Sequence, residues 1–544
     1  MIFLSWLLTS FLWFRIVSLK SESYLHIMQL EGYSTNKFEY WIHENKSKIY
    51  KKIDIYYLIA TISFVILYFA FLNTLIIKSI FYLCINLLLI IMNVIIYSKK
   101  EVFKKPLVYT KRAKRLATII HSLILLDMFI AILIFLIFTN NIYIIYPICV
   151  GFMSISYFFC VYYVLLGNLI SVPIENRINK KFYDMACKKI RSLDKLKTVG
   201  ITGSYGKTST KFITASILSN KFKIMNTPES YNTPMGISKV INNELNDNYE
   251  VFIAELGATK KGDIDEVARL TNPKIGVLTS IGPCHLQTFG SIENIANGKY
   301  ELIEYLPDDG IAIFNYDNPY VRDLADKTLK KKMLYAVENI DNVDVYAKDI
   351  SVNEIGSVFT LCIKNKGSIK CETSLLGKHN ILNILAGVSV ATALGMNLEE
   401  IRLGIKRILP VKHRLEIIDP KTGILVIDDA FNSNPDGAAA ALEVLKEFKN
   451  KRKIIVTPGM IELGQIEKKE NEKFGEKIAE VCDIVILVGK KRTQPIYEGL
   501  VKKGYDSNNI YVVNSTNDST DIIKNIAKQG DIILYENDLP DNYD

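Results

Sequence analysis

The chain has 544 residues, 49% of them apolar, and a formal net charge of +9. That length allows roughly three domains. The apolar excess is concentrated in the first third, so the basic residues beside it read as membrane topology and not as a nucleic-acid surface. Eight cysteines with no C-x-x-C pair point away from a zinc ribbon or a disulfide framework and fit a reducing compartment.

Apolar stretches near 1–19, 55–77, 79–97, 118–139 and 142–170 each approach the ~20 residues that cross a bilayer. The first carries Arg15 and lacks a basic region ahead of it, so it reads as a membrane helix and not as a signal peptide, with an interfacial or re-entrant segment as the alternative. Residues 98–117 hold eight Lys or Arg (Lys99, Lys100, Lys104, Lys105, Lys111, Arg112, Lys114, Arg115) against one Glu, which places that loop in the cytoplasm. The uncharged link Thr139-Asn140-Asn141 suits the outside; the Lys-rich 20–52 and the residues after the fifth stretch (Arg177, Lys180, Lys181) suit the inside. The expected topology is an outside N-terminus, five spans and cytoplasmic C-terminal domains, a multi-pass protein of the cytoplasmic membrane. Asp127 falls inside the fourth span; it reads as a helix–helix hydrogen bond in preference to a functional carboxylate.

Residues 173–195 form a polar, basic connector. From 196 onward buried strands alternate with helices: strands at Val251–Ala254, Ile275–Leu278 and Ala312–Phe314, helices at Asp263–Leu270 and Ile292–Leu306, and a small-residue helix after Gly377 that runs to Ala393. This pattern predicts a parallel α/β domain. Past Pro410, apolar runs at Gly423–Ile427, Lys453–Val456, Ile484–Val488 and Ile510–Val513 predict a second one.

The chemistry is carried first by Gly200-Ile201-Thr202-Gly203-Ser204-Tyr205-Gly206-Lys207-Thr208-Ser209-Thr210, which follows Thr198-Val199 and leads into the helical pattern Lys211–Leu218. Strand, Gly-rich turn, Lys-Thr and helix form the layout of a phosphate-binding loop. Backbone N–H groups around Gly203, Ser204, Gly206 and Ser209 would cradle phosphate oxygens at the helix N-terminus. Lys207 would reach the terminal phosphates and the Thr208 hydroxyl would ligate Mg²⁺. Ile201 stands where the common pattern has its first Gly, so what remains is T-G-x-x-G-K-T. Glu255 ends a buried strand, where ligands of α/β sheets gather; it reads as a metal carboxylate or as an exposed strand-end residue. His285, in Gly282-Pro283-Cys284-His285, follows the next strand and reads as a metal ligand or a loop cap. Lys299 alone is a solvated helix lysine.

Taken together, these motifs resemble the Mur ligases, ATP-dependent amide ligases that build the peptidoglycan stem peptide. The resemblance rests on the phosphate loop, Ala254-Glu255-Leu256-Gly257, His285, Lys299, Gly377-Lys378-His379-Asn380 with Asn383, His413-Arg414-Leu415-Glu416 and Asp428-Asp429-Ala430-Phe431-Asn432-Ser433-Asn434-Pro435. It covers about 196–544. The last motif and Pro458–Gly464 most resemble the member that adds D-alanyl-D-alanine. The implied architecture is an α-helical membrane domain (1–172), a cytoplasmic linker (173–195), a P-loop central ATP-binding domain (196–409) and a Rossmann-like C-terminal domain (410–544). The resemblance implies that Lys207 contacts the ATP phosphates, that Thr208, Glu255 and His285 hold metal, and that Lys299 becomes a carbamylated ligand of a second Mg²⁺. It further implies that Asn232 faces the γ-phosphate and substrate, that Asn380 and Asp429 hold the nucleotide with Asn432 near its base, and that Arg414 reaches ATP from the domain junction. The partners implied are ATP, a stem-peptide precursor that is UDP-linked or lipid-linked, and an amine such as D-Ala-D-Ala. Three features depart from the family: the soluble UDP-sugar domain gives way to the membrane stretches, Thr233 stands beside Asn232 where a second Asn is common, and His413 precedes Arg414 where Gly is common. A ligase for a lipid-linked or capsular poly-amino-acid substrate is the alternative reading, and a P-loop transport ATPase is a weaker one.

Overall fold

The computed structural model describes every residue except 1, 71–74, 99–105, 139–140, 354–355, 419–420, 431–432, 462 and 539–544. Lys99, Lys100, Lys104, Lys105, Thr139, Asn140 and the candidate nucleotide residue Asn432 therefore lie outside the described residues. The described chain divides into two compact units, meeting between Asn179 and Lys180.

The first unit is helical, with long helices at Ile2–Leu30, Lys52–Ala70, Leu75–Ser98, Lys111–Phe138, Ile142–Phe158 and Val161–Arg191. Among the described residues, the three segments Lys52–Ala70, Lys78–Ser98 and Lys111–Leu133 are long and apolar enough to cross a bilayer. The stretch expected as one span at 142–170 is instead two helices bent by 71° at the break before Val161, which count as a fourth span if taken together. Asp127 explains how that bend is held: its carboxylate accepts from Ser156 Oγ at 2.7 Å and from Tyr163 Oη at 2.5 Å, one donor on each side of the break. The helix–helix role expected for Asp127 is what the structure shows. Several other buried polar groups of this unit are also paired across helices, which offsets the cost of their burial. Lys20 and Asp54 form an ion pair at 3.0 Å, with Tyr157 Oη donating to Asp54. Arg115 grips Glu175 with two bonds of 2.7 Å. Large apolar side chains such as Leu83 and Ile66 point outward, inverting the pattern of a water-soluble bundle.

The polar connector expected at 173–195 is mostly helix, because Val161–Arg191 is continuous. Its later part belongs to the second unit. Ala186 and Ile190 are buried in that unit's core, and Lys189 Nζ and Asn242 Nδ2 tie the two segments together.

The second unit holds two sheets. The first comprises β1 (Lys197–Thr202), β2 (Ile224–Asn226), β3 (Val251–Glu255), β4 (Ile275–Leu278), β5 (Ile311–Asn315), β6 (Lys332–Ala336), β7 (Val345–Asn353), β8 (Gly356–Ile363) and β9 (Gly367–Thr373). Its order is β2-β3-β1-β4-β5-β6-β7-β8-β9. From β2 to β7 neighbouring strands are parallel, and β3 and β4 are buried along their whole length, which is why they read as unbroken apolar runs. The parallel domain expected from sequence is extended by an antiparallel meander, β7–β9, whose last hairpin turns through Asn365 (φ 62°) and Gly367 (φ 99°). The chain passes from β1 outward to β2 and β3, then crosses to β4 on the other side of β1. The crevice beyond the carboxyl ends of β1 and β4 is thus the switch point, where open α/β sheets bind ligands.

The second sheet contains β10 (Glu416–Ile418), β11 (Leu425–Asp429), β12 (Lys453–Thr457), β13 (Ile484–Val488), β14 (Ile510–Val513) and β15 (Ile532–Glu536), in the order β10-β11-β15-β12-β13-β14. Only β10 is antiparallel to its neighbour. The last strand in sequence sits at the centre, which aligns Glu536 with Asp429.

Candidate active site

The loop after β1 is built around two glycines that cannot carry side chains. A Cβ on Gly203 would lie 2.0 Å from Thr279 Oγ1, and Gly206 (φ 78°) would place one 2.6 Å from Asn383 Oδ1. The loop is tied to the end of β4 by Ser204 N–H donating to Ser280 O (2.6 Å) and Thr279 Oγ1 donating to Tyr205 O (2.6 Å). Behind it the helix Lys207–Leu218 begins. Its first-turn amides, those of Lys207, Thr208 and Ser209, have no backbone acceptor among the described residues. Orphan donors at the positive end of a helix fit a bound anion. Lys207 folds back over the loop, with Nζ donating to Gly203 O (2.7 Å) and Ser204 O (3.1 Å).

A cavity opens over this loop, lined by Ser204, Gly206, Lys207, Thr208 and Ser209 from the loop, by Asn232, Glu255 and His285, and by Arg414 from the C-terminal part of the chain. The structure therefore brings together most of the residues expected from sequence. Glu255 is not the exposed strand-end residue of the alternative reading: it is 1% exposed, and its Oε1 accepts from Asn232 Nδ2 at 3.0 Å. His285 has φ 53° and stands at the start of the short helix Leu286–Phe289 while lining the cavity. Thr233 is explained locally: its Oγ1 caps the helix Pro234–Asn243 by accepting from Gly236 N–H.

Lys299 is not the solvated helix lysine it would be alone. It is 1% exposed, on the inner face of the helix Ile292–Tyr305, and its Nζ has no hydrogen-bond or ion-pair partner among the described residues. Burial, and then the positive charge of Lys207, push its pKa down to about 7. Among the described residues no group of three or more His, Cys, Asp or Glu side chains is placed to hold a metal ion. Glu255, His285 and Thr208 all line the first cavity.

A second cavity shares Gly206, Ser209 and Arg414 with the first and adds Asn380, Asn383 and Asp429. Asn380 lies in the first turn of the helix Lys378–Ala393 and its Nδ2 donates to Leu376 O (2.9 Å), while Asn383 Oδ1 accepts from Thr210 Oγ1. Burial raises Asp429 to about 6 against the pull of Arg414, and burial lowers Arg414 against the pull of Asp429 and Glu255. His379 is half-buried, and desolvation lowers its pKa to about 4.

Two buried charged residues of the site escaped sequence reasoning. Lys211 lies one turn beyond Lys207, and this spacing was the available signal. Glu536 closes the apolar strand β15 and had no local signal. It is 1% exposed, accepts from Ser433 Oγ and from Thr457 Oγ1 (2.9 Å), and is pushed up by burial to about 7. Because its folded pKa is raised, the folded state holds more protons than the unfolded chain between about pH 4.5 and 7, and stability from this group declines across that window as pH rises. The melting temperature of wild type minus that of Glu536→Gln should therefore fall between pH 5 and pH 7.5; a flat difference would refute it.

Comparison with known proteins agrees with this geometry. Residues 201–391 match the Mur ligase middle domain and 413–535 match the Mur ligase glutamate ligase domain. The chain belongs to the Mur ligase family. Among curated relatives, the UDP-N-acetylmuramoyl-tripeptide–D-alanyl-D-alanine ligase of Bacillus subtilis is 30% identical over 62% of this chain and 72% of its own length. Among solved structures, MurF from Acinetobacter baumannii aligns with TM-score 0.59 at 25% identity, covering 66% of this chain and 77% of that one. The MurF ligase of Thermotoga maritima in complex with ADP gives the same TM-score and identity over 66% and 80%. In this Mur ligase both family matches fall within the second unit, and the apolar helices precede them. The expected fold class, helices followed by two α/β domains of Mur ligase type, is what the structure and these matches show.

Proposed function

We propose that this Mur ligase is a membrane-anchored, ATP-dependent amide ligase of peptidoglycan precursor synthesis that joins a stem-peptide carboxylate to D-Ala-D-Ala. The observation that carries the proposal is the cavity that Lys207, Thr208 and Ser209, whose amides have no backbone acceptor among the described residues, line together with Glu255, His285 and Arg414. We assign 1–172 as the membrane domain, 173–195 as the linker, 196–409 as the ATP-binding domain and 410–544 as the C-terminal domain. The catalytic part lies in the cytoplasm.

The donors fit ATP with Mg²⁺. The amides of the first helical turn and Lys207 would bind the phosphates; Asn380, Asn383 and Asp429 would bind the nucleoside end, with Asn432 near the base. Thr208, Glu255 and His285 would hold Mg²⁺, which when bound neutralises charge on the transferring phosphoryl group. Lys299, buried with no hydrogen-bond or ion-pair partner among the described residues, would be carbamylated by CO₂, turning a cation that opposes folding into an anionic ligand for a second Mg²⁺. Asn232 and Arg414 orient the reacting groups over the loop, and closure of the C-terminal domain excludes water. The product test is direct. The protein is incubated with ATP, D-Ala-D-Ala and a UDP-linked or lipid-linked tripeptide, and the product mass is read. No mass increase with either tripeptide would overturn the reading.

The membrane helices favour the lipid-linked acceptor. Confinement of enzyme and substrate to one surface raises their effective concentration, whereas a soluble nucleotide sugar gains nothing. Full-length protein in liposomes should show a higher kcat/KM for the lipid-linked than for the UDP-linked tripeptide, and a fragment beginning at Lys180 should lose that preference. The cut belongs there because Ala186 and Ile190 are core residues of the second unit. Equal kcat/KM for the two acceptors in both proteins would sink the preference.

A further inference from the structure

Lys211 is an amphiphilic residue in an unusual place: a lysine with no exposed surface, on the helix that follows the phosphate loop. Its Nζ lies 3.4 Å from Glu255 Oε2, donates to the backbone carbonyl of Glu229, and stands 4.3 Å from the centre of the Phe212 ring. Glu255 is itself 1% exposed, so the two form an ion pair closed to water. A carboxylate at that depth requires a cation and hydrogen bonds to stay charged and fixed.

The partners of Lys211 are the parts that face the reaction. Glu229 has φ 43° and opens the loop that carries Ser230 and Asn232 into the cavity. Asn232 in turn donates to the other oxygen of Glu255 at 3.0 Å, and its backbone carbonyl accepts from Gly257 N–H at 2.9 Å. The phosphate-loop helix, the end of β3 and the Asn232 loop therefore meet at one ammonium. With Lys211 on Oε2 and Asn232 on Oε1, the carboxylate has a single orientation, and its remaining lone pairs are the ones left for another ligand.

We infer that Lys211 is a positioning residue: it fixes the Glu255 carboxylate and the Asn232 loop against the phosphate loop, and so presets the divalent-cation site. It touches neither the cation nor the substrate in this role. The inference rests on the proposed Mg²⁺·ATP reading of the cavity and deepens it. Arginine at 211 would keep the charge and part of the geometry; methionine would keep the packing and remove both bonds.

The test uses the full-length protein in detergent or nanodiscs, with Mn²⁺ as probe in the presence of ADP and binding read by electron paramagnetic resonance. Wild type, Lys211→Met, Lys211→Arg, Glu255→Gln and the Lys211→Met/Glu255→Gln double variant are compared, each with its circular dichroism spectrum. The expected result is Mn²⁺ affinity at least ~10-fold weaker in Lys211→Met, because a charge-assisted contact that orders the ligand is lost. Lys211→Arg should recover part of that loss, and the double variant should bind no more weakly than Glu255→Gln. Wild-type affinity in Lys211→Met, alongside a weakened Glu255→Gln, overturns the role of Lys211. Additive losses in the double variant overturn it too, since Lys211 would then act apart from Glu255. If Lys211→Met fails to fold, Lys211→Arg decides: affinity reduced and paired with the Glu255→Gln loss supports the role, and wild-type affinity overturns it. Unchanged binding in Glu255→Gln removes the metal reading itself.

Discussion

Lys207→Ala lowers kcat by about three orders of magnitude, the loss expected when a cation aimed at a transferring phosphoryl group is removed. In the structure its Nζ rests on Gly203 O and Ser204 O, four and three residues back on the same loop. These are local partners, and a phosphate placed over the loop competes with them for the same ammonium. Removing the side chain leaves the loop's own ties intact, because these run through Ser204, Tyr205 and Ser280. The variant should keep its fold and lose ATP-dependent phosphate release, measured with both co-substrates present. Turnover within tenfold of wild type would remove the loop from the mechanism.

Lys299→Ala abolishes ligation while the protein still folds. A buried ammonium with no partner opposes folding, so deleting it at neutral pH relieves a desolvation cost. The activity loss is read differently if the native group is a carbamate, because a short carboxylic acid such as acetate can enter the vacated space and restore part of the rate. The pH dependence has a definite sign. With the amine held near 7, the neutral form that captures CO₂ grows as pH rises from 6 to 8, and the CO₂-dependent fraction of activity grows with it. Full activity of the alanine variant, or no response to either carboxylic acid or CO₂, would count against the carbamate.

The phosphate loop could be read from sequence because its physics is local. Two left-handed or crowded backbone positions need glycine, and both glycines, the lysine and the threonine fall within six consecutive residues, Gly203–Thr208. The parallel strands were visible for a similar reason, since β3 and β4 are buried on both faces and leave no polar alternation. The burial of Lys299 could not be read. Helical periodicity placed it on a helix, but whether that face meets solvent or the wall behind Lys207 is settled by a helix packing against a distant loop. The bend between Phe158 and Val161 was hidden as well, because hydropathy records apolar length and is blind to direction.

The sequence by itself determined the class of the protein: apolar helices first, then a phosphate loop and a string of short motifs in Mur ligase order, each legible because neighbouring residues suffice to state it. The tertiary structure alone decided how those motifs share one cavity. Glu255 meets Asn232 across 23 residues and Lys211 across 44, and Glu536 reaches Ser433 across 103. The last contact exists because β15 inserts between β11 and β12. Strand order, and with it which carboxylates and ammonium groups are buried together, follows from the packing of whole elements around a core, where the partners of a residue are chosen by long-range burial and not by its neighbours in the chain.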